Sequence, residues 1–291
     1  MNTFTFVSLL LLTVAASSKE TKEWSNLKSL APKLPHYLFV RGKQSSGSRI
    51  TGGQEAIQHQ FPHQAGIIIE TSSGAAFCGG SLISDEWILT AAHCAVEGSS
   101  FEVILGAHYV VQEEDTQVRI TTTEKHVHPD WESTTLQNDI ALLKLPTKVE
   151  EVKGIIEHIR LPSRSQANDN FVDEDTVVSG WGKDSDSASS ISPVLRYVHS
   201  PVITNSVCNV YYFGLINDRH ICTSGSGGKS TCSGDSGGPL IIIDTEELPT
   251  QIGLVSFGIS LGCELGWPPA FIRLTPFLSW IESTTGIPIR E

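Results

Sequence analysis

The chain has 291 residues, 40% of them hydrophobic, which is enough to bury a full core as one large domain or two small ones and excludes a chain disordered throughout. Its formal charge of -12 is uneven, because residues 1 to 49 hold seven Lys or Arg against two Asp or Glu while the remainder holds 13 against 30. An acidic body excludes nucleic acid as a partner, since phosphates need basic surface to neutralise them.

Residues 4 to 16, FTFVSLLLLTVAA, form an apolar run followed by small residues, too short to span a bilayer. Residues 1 to 18 therefore read as a signal peptide, although no Lys or Arg precedes the run, and a buried strand or helix is the alternative. A secreted, extracellular protein without a membrane anchor is expected. Residues 19 to 49 mix Lys, Ser, Pro and Gly, contain no Cys and end in GKQSSGSR, the composition of a flexible, cleavable propeptide that no tether would hold after a cut.

From Ile50 to Glu291 the pattern changes to short β-rich runs: AGIIIE, SLISDEWILTAA, FEVILGAHYVV, DIALLKL, TVVSGWG, PLIII and IGLVSFG. Clusters of Gly, Ser, Asp and Pro separate them, which predicts an all-β sandwich or a pair of barrels. Only the end, TPFLSWIEST, has a helical pattern, with Thr275 expected as the N-cap, Pro276 at the first position and Gly286 soon after. Six cysteines behind a secretory signal predict three disulfides; 15 pairings exist and counting does not choose among them. No CxxC occurs, and neither a metal nor a cofactor is expected.

Three segments carry chemistry. GDSGGP at 234 to 239 sets Ser236 among glycines, which permit a strained turn and close approach of a substrate to the backbone. LTAAHC at 89 to 94 ends a β-rich run in His93, and NDIALLKL at 138 to 145 opens an apolar strand with Asp139. A serine hydroxyl is a weak nucleophile that needs a base, and the imidazole needs a carboxylate to fix its tautomer and stabilise its charge.

With ITGG at 50 to 53, CGGSLIS at 78 to 84, SGWG at 179 to 182 and VSFG at 255 to 258, these segments resemble the chymotrypsin family of serine proteases from Ile50 to about Gly286. The resemblance implies two packed six-stranded antiparallel β-barrels, a short C-terminal helix and an active site between the barrels. It assigns His93 as general base and then acid, Asp139 as its orienting carboxylate, Ser236 as nucleophile, and the backbone N–H groups of Gly234 and Ser236 as the oxyanion hole. It pairs Cys78 with Cys94, Cys208 with Cys222 and Cys232 with Cys263. It also implies activation by a protease that cuts between Arg49 and Ile50, so that the new amino group pairs with Asp235.

By the same mapping Ser230 is the floor of the specificity pocket, with Ser256, Gly258 and Pro269 on its walls. A neutral floor rejects Lys and Arg and favours large apolar side chains, while the Pro269 ring makes the pocket shallower and keeps small aliphatics open. GCELGWPPAF at 262 to 271 looks most like arthropod chymotrypsins and brachyurins. Calcium is not expected at the acidic run 113 to 115, because Ala107 stands where vertebrate trypsins have a Glu after the loop's leading glycine. The remaining histidines, His63 and His220 among them, read as surface or structural groups.

The expected function is thus a secreted zymogen of a chymotrypsin-like endopeptidase with a digestive role. Its expected partners are protein or peptide substrates, the activating protease and protein inhibitors, and a monomer is expected. A regulatory cascade protease is the alternative among enzymes, favoured by an extra disulfide-rich domain, a Cys tethering the propeptide or an acidic residue in the pocket. A non-catalytic homologue acting as a binding module is the alternative outside them, and it would have lost a triad member.

Overall fold

Short runs of aliphatic and β-branched residues, cut by tight turns, set the architecture. The computed structural model describes residues 27–30, 52–259 and 261–291. The expected signal peptide, Arg49 and Ile50 lie outside the described residues.

The first sheet holds β1 (Lys28–Ser29), β3 (Gln64–Thr71), β4 (Gly74–Ser84), β5 (Trp87–Thr90), β6 (Ser100–Leu105), β7 (Val118–Thr122), β8 (Lys125–Val127) and β9 (Ala141–Lys144). Its strand order is β7-β6-β3-β4-β5-β9-β8, with β1 added to β4. Only Thr123 and Glu124 separate β7 from β8, so one continuous segment borders both ends of the sheet and curls it into a barrel. Counted as one bent strand, that segment makes six with the five others along the path.

The second sheet holds β2 (Gln54–Glu55), β10 (Asp175–Gly180), β11 (Arg196–Ile203), β12 (His220–Thr223), β13 (Pro239–Ile243), β14 (Pro249–Phe257) and β15 (Ala270–Arg273). Pairing of β10 with both β13 and β11 closes β10, β13, β14, β15, β12 and β11 into a six-stranded barrel.

The triple isoleucine of β3 shows why one sequence run serves two interfaces. Ile67 and Ile69 pack with Leu82, Leu89 and Val103 inside the first barrel. Ile68 points the other way and packs with Phe77, Trp181 and Leu195, a cluster drawn from both barrels. A strand covered on both faces has no polar alternation, so it reads as a continuous apolar run. Buried polar side chains also bond across the barrels: Ser81 Oγ donates to Gln251 Oε1 at 2.7 Å and Ser179 Oγ to Gln64 Oε1 at 2.6 Å.

Among the described residues the short α-helices are α1 (Ala92–Ala95), α2 (Asn205–Tyr212) and α3 (Leu278–Thr285). The sequence reading missed α2, whose Thr204 cap accepts a hydrogen bond from Val207 N. At the C-terminus Thr275 is not the expected N-cap. It opens a 3₁₀ turn, Thr275–Phe277, that precedes α3, and its hydroxyl is buried without a partner; Gly286 caps the far end at φ 76°. Disulfides join Cys78 to Cys94, Cys208 to Cys222 and Cys232 to Cys263.

Candidate active site

The first sheet places His93 one residue into α1, immediately after β5, and the Cys78–Cys94 disulfide ties that turn to β4. Asp139 stands just before β9, in a tight turn in which Ile140 N donates to Asn138 O at 2.8 Å. Asn138 holds that turn in the left-handed conformation, φ 57°, which Asn tolerates better than most residues. Its side chain is anchored at both ends, donating to Asp130 O at 2.7 Å and accepting from Arg219 Nη1 at 2.6 Å.

Asp139 is fully buried, where an unpartnered carboxylate would cost several kcal/mol. Three donors meet it. Oδ1 accepts from the His93 backbone N–H at 2.9 Å, and Oδ2 accepts from Ser256 Oγ at 2.6 Å and lies 2.7 Å from His93 Nδ1. With Nδ1–H committed to the carboxylate, the neutral ring presents Nε2 as an acceptor.

Ser236 belongs to a turn folded by the bonds Asp235 N to Cys232 O, 3.0 Å, and Gly238 N to Asp235 O, 2.9 Å. Gly234 and Gly237 take φ of 105° and 82°, a region that side chains rarely adopt, and a Cβ at Gly237 would run into Thr90 Oγ1. Gly79 N donates to Ser236 O at 2.8 Å, which docks the turn on β4, and Cys94 Sγ lies 3.7 Å from the same oxygen. Ser236 is therefore held beside the residue that follows His93. The hydroxyl of Ser236 donates to the carbonyl of Leu30 at 3.2 Å, a contact with the leader that the sequence reading did not foresee.

Asp235 is turned toward the backbone of Gly182 and Cys232. Its carboxylate is 1% exposed and accepts from Gly182 N at 2.8 Å and Cys232 N at 2.9 Å, with no cationic partner among the described residues. Burial pushes its pKa up to about 6.

Next to Ser236 is a cavity of 190 Å³, lined among others by Ser230, Val255, Ser256, Gly258 and Trp267. Ser230 is buried and its hydroxyl donates to Thr231 O at 3.1 Å. A Cβ added at Gly258 would meet nothing within 4 Å, so the wall is open there. Pro269 is buried and does not line the cavity. Asp186 does line it, and its carboxylate accepts the Cys263 N–H at 2.6 Å. No motif marks Asp186 in the sequence.

Known proteins resemble this chain over most of its length. The family model described as Trypsin matches residues 50–281. Brachyurin from Leptuca pugilator is 46% identical over 241 residues, covering 82% of this chain and 99% of the relative. Collagenase from Hypoderma lineatum is 40% identical over 242 residues, covering 82% of this chain and 88% of the relative. The solved structure of HL collagenase superposes with a TM-score of 0.74 at 38% identity, covering 81% of this chain and 99% of that one.

Proposed function

We propose that this chain, which belongs to the trypsin family and is a serine endopeptidase, is made as a secreted zymogen and works through Ser236, His93 and Asp139. In this reading His93 Nε2 takes the Ser236 proton as Oγ attacks the carbon of the scissile carbonyl. The N–H groups of Gly234 and Ser236 hold the oxygen as it becomes negative. His93 then returns the proton to the leaving amine, and water, deprotonated by the same ring, releases the acyl group from Ser236. The observation that carries the reading is the buried Asp139 carboxylate, which meets His93 at both its backbone and its Nδ1.

Cutting between Arg49 and Ile50 would free an amino group for Asp235, whose buried carboxylate has two amide donors and no cation among the described residues. Such an ion pair would favour the ionised carboxylate that burial alone disfavours. The neutral Ser230 and the open wall at Gly258 favour an apolar or aromatic side chain on the N-terminal side of the cut bond. That Pro269 is not among the lining residues supports room for the larger side chains. The collagenase relative adds collagen to the candidate substrates of a digestive protease.

A positional-scanning peptide library, tested on protein cut after Arg49 and on its Ser236→Ala variant, decides the matter. Cleavage after Phe, Tyr, Leu or Met, lost in the variant, is the expected result. A preference for Arg would favour the cascade-protease alternative, and turnover surviving in the variant would overturn the assignment of Ser236.

A further inference from the structure

The leader reaches the active site. Residues 28–29 form β1 and pair in parallel with β4, Lys28 beside Ala76 and Ser29 beside Phe77. This edge is open because β5 pairs only with Ser81–Ser84 of β4, while β3 takes the opposite edge. An unpaired edge is a template for an added strand. Three further contacts fix the segment in place. Leu27 packs on the Phe77 and Trp181 cluster, Leu30 packs on the first barrel's core, and Lys28 Nζ donates to Ser73 O at 2.7 Å. The last contact is the bond from Ser236 Oγ to Leu30 O at 3.2 Å.

From this juxtaposition we infer that the edge of β4 at Ala76 and Phe77, together with Ser73 in the turn before it and Ser236, is a docking site for residues 27–30, and that this segment is an inhibitory plug rather than a substrate. The inference rests on Ser236 being the nucleophile. Attack needs Oγ aimed at a carbonyl carbon and its proton handed to a base. Here the Oγ hydroxyl donates a hydrogen bond to the carbonyl oxygen of Leu30, so its proton is directed at the segment and not at a base. No bond forms or breaks, and the segment stays whole.

Charge supports the same occupant. Residues 1 to 49 carry seven basic and two acidic side chains, while the body holds 13 basic and 30 acidic ones, so leader and body attract each other and salt weakens the attraction. Before the Arg49 cut the plug is tethered, at an effective concentration of order mM, and a weak contact suffices to keep it docked. After the cut that advantage is gone, and the same contact becomes a reversible inhibitor.

The test uses full-length protein cut after Arg49 and gel-filtered to remove the leader. Its turnover of a short peptide substrate is measured with and without a synthetic peptide of residues 19–49. Saturable competitive inhibition is expected, weakened at least about tenfold by Leu27→Asp with Leu30→Asp and reduced by added salt, with the peptide recovered uncut. No inhibition at about 1 mM, equal potency of the double variant, or cleavage after Leu30 overturns the plug. Turnover without peptide reports separately on the protease reading. If that turnover is absent, fluorescence anisotropy of the labelled peptides on the same protein decides the docking by the same contrast between wild type and double variant.

Discussion

Ser256 and Asp139 belong to different barrels, and the serine hydroxyl donates to the Asp139 carboxylate at 2.6 Å across the boundary between them. Asp139 leads into β9 of the first sheet and Ser256 lies in β14 of the second, so the bond fixes the carboxylate that fixes His93. A hydrogen bond to a charged group is worth about 1.5–3 kcal/mol. Ser256→Ala should therefore lower kcat/KM roughly 10- to 100-fold, with most of the loss in kcat. Steady-state kinetics on protein cut after Arg49 check this, and unchanged kcat would mean that Asp139 is positioned without Ser256.

Asp235 makes the uncut protein sensitive to pH in a defined direction. Its folded pKa, raised from 3.8 to about 6 by burial, means that the folded state binds this proton more tightly than the unfolded chain does. The stabilisation is complete below pH 3.8 and is lost as pH rises through 6, a change of about 3 kcal/mol. Measured as the difference in urea unfolding between Arg49→Gln protein and the same protein carrying Asp235→Asn, this decline should appear between pH 4 and 8, superimposed on the opposite trend of other buried groups. Parallel stability curves for the two proteins would contradict the account.

His63 has the opposite sign. It is buried, its Nε2 has no partner among the described residues, and burial lowers its pKa from 6.5 to about 3. Below pH 6.5 the unfolded chain takes up a proton that the folded site refuses until about pH 3. Stability therefore falls through that interval, by on the order of 4–5 kcal/mol for a buried ring. His63→Leu should flatten the acid limb of a melting-temperature profile, and an unchanged limb would assign acid unfolding to other groups.

The proposed role of Ser230 as the floor of the cavity predicts how specificity can be switched. Ser230→Asp would add a carboxylate free to pair with a substrate cation to a cavity whose existing carboxylate, Asp186, already accepts the Cys263 N–H. The ratio of kcat/KM for Arg over Phe peptides should rise at least about 100-fold, corresponding to about 3 kcal/mol. A ratio that does not move would place the floor at another residue.

Much of this arrangement was legible in the sequence because its signals are local. AGIIIE and DIALLKL are apolar runs that become buried strands, and GDSGGP is a turn in which Gly234 and Gly237 take positive φ. What stayed hidden depends on tertiary partners. Lys28 and Ser29 have no strand pattern of their own and pair only because the β4 edge is open. Helix α2 was missed because NSVCNVYY is poor in helix formers; packing of Cys208 and Tyr212 against the second barrel supports it, although Thr204 offered a capping signal. Thr275 suited a cap by residue type, yet the preceding chain enters through a 3₁₀ turn and leaves its hydroxyl buried.

The central claim is that Ser236 is the nucleophile, activated by His93 and Asp139. Protein cut after Arg49 should react with a sulfonyl fluoride at one residue, lose its peptidase activity in proportion to labelling, and carry the label on Ser236 in peptide mass spectrometry. Asp139→Asn should slow that labelling by at least about 1,000-fold, because the imidazole then adopts the wrong tautomer. Label on any other residue, or full activity in protein labelled at Ser236, would contradict the account.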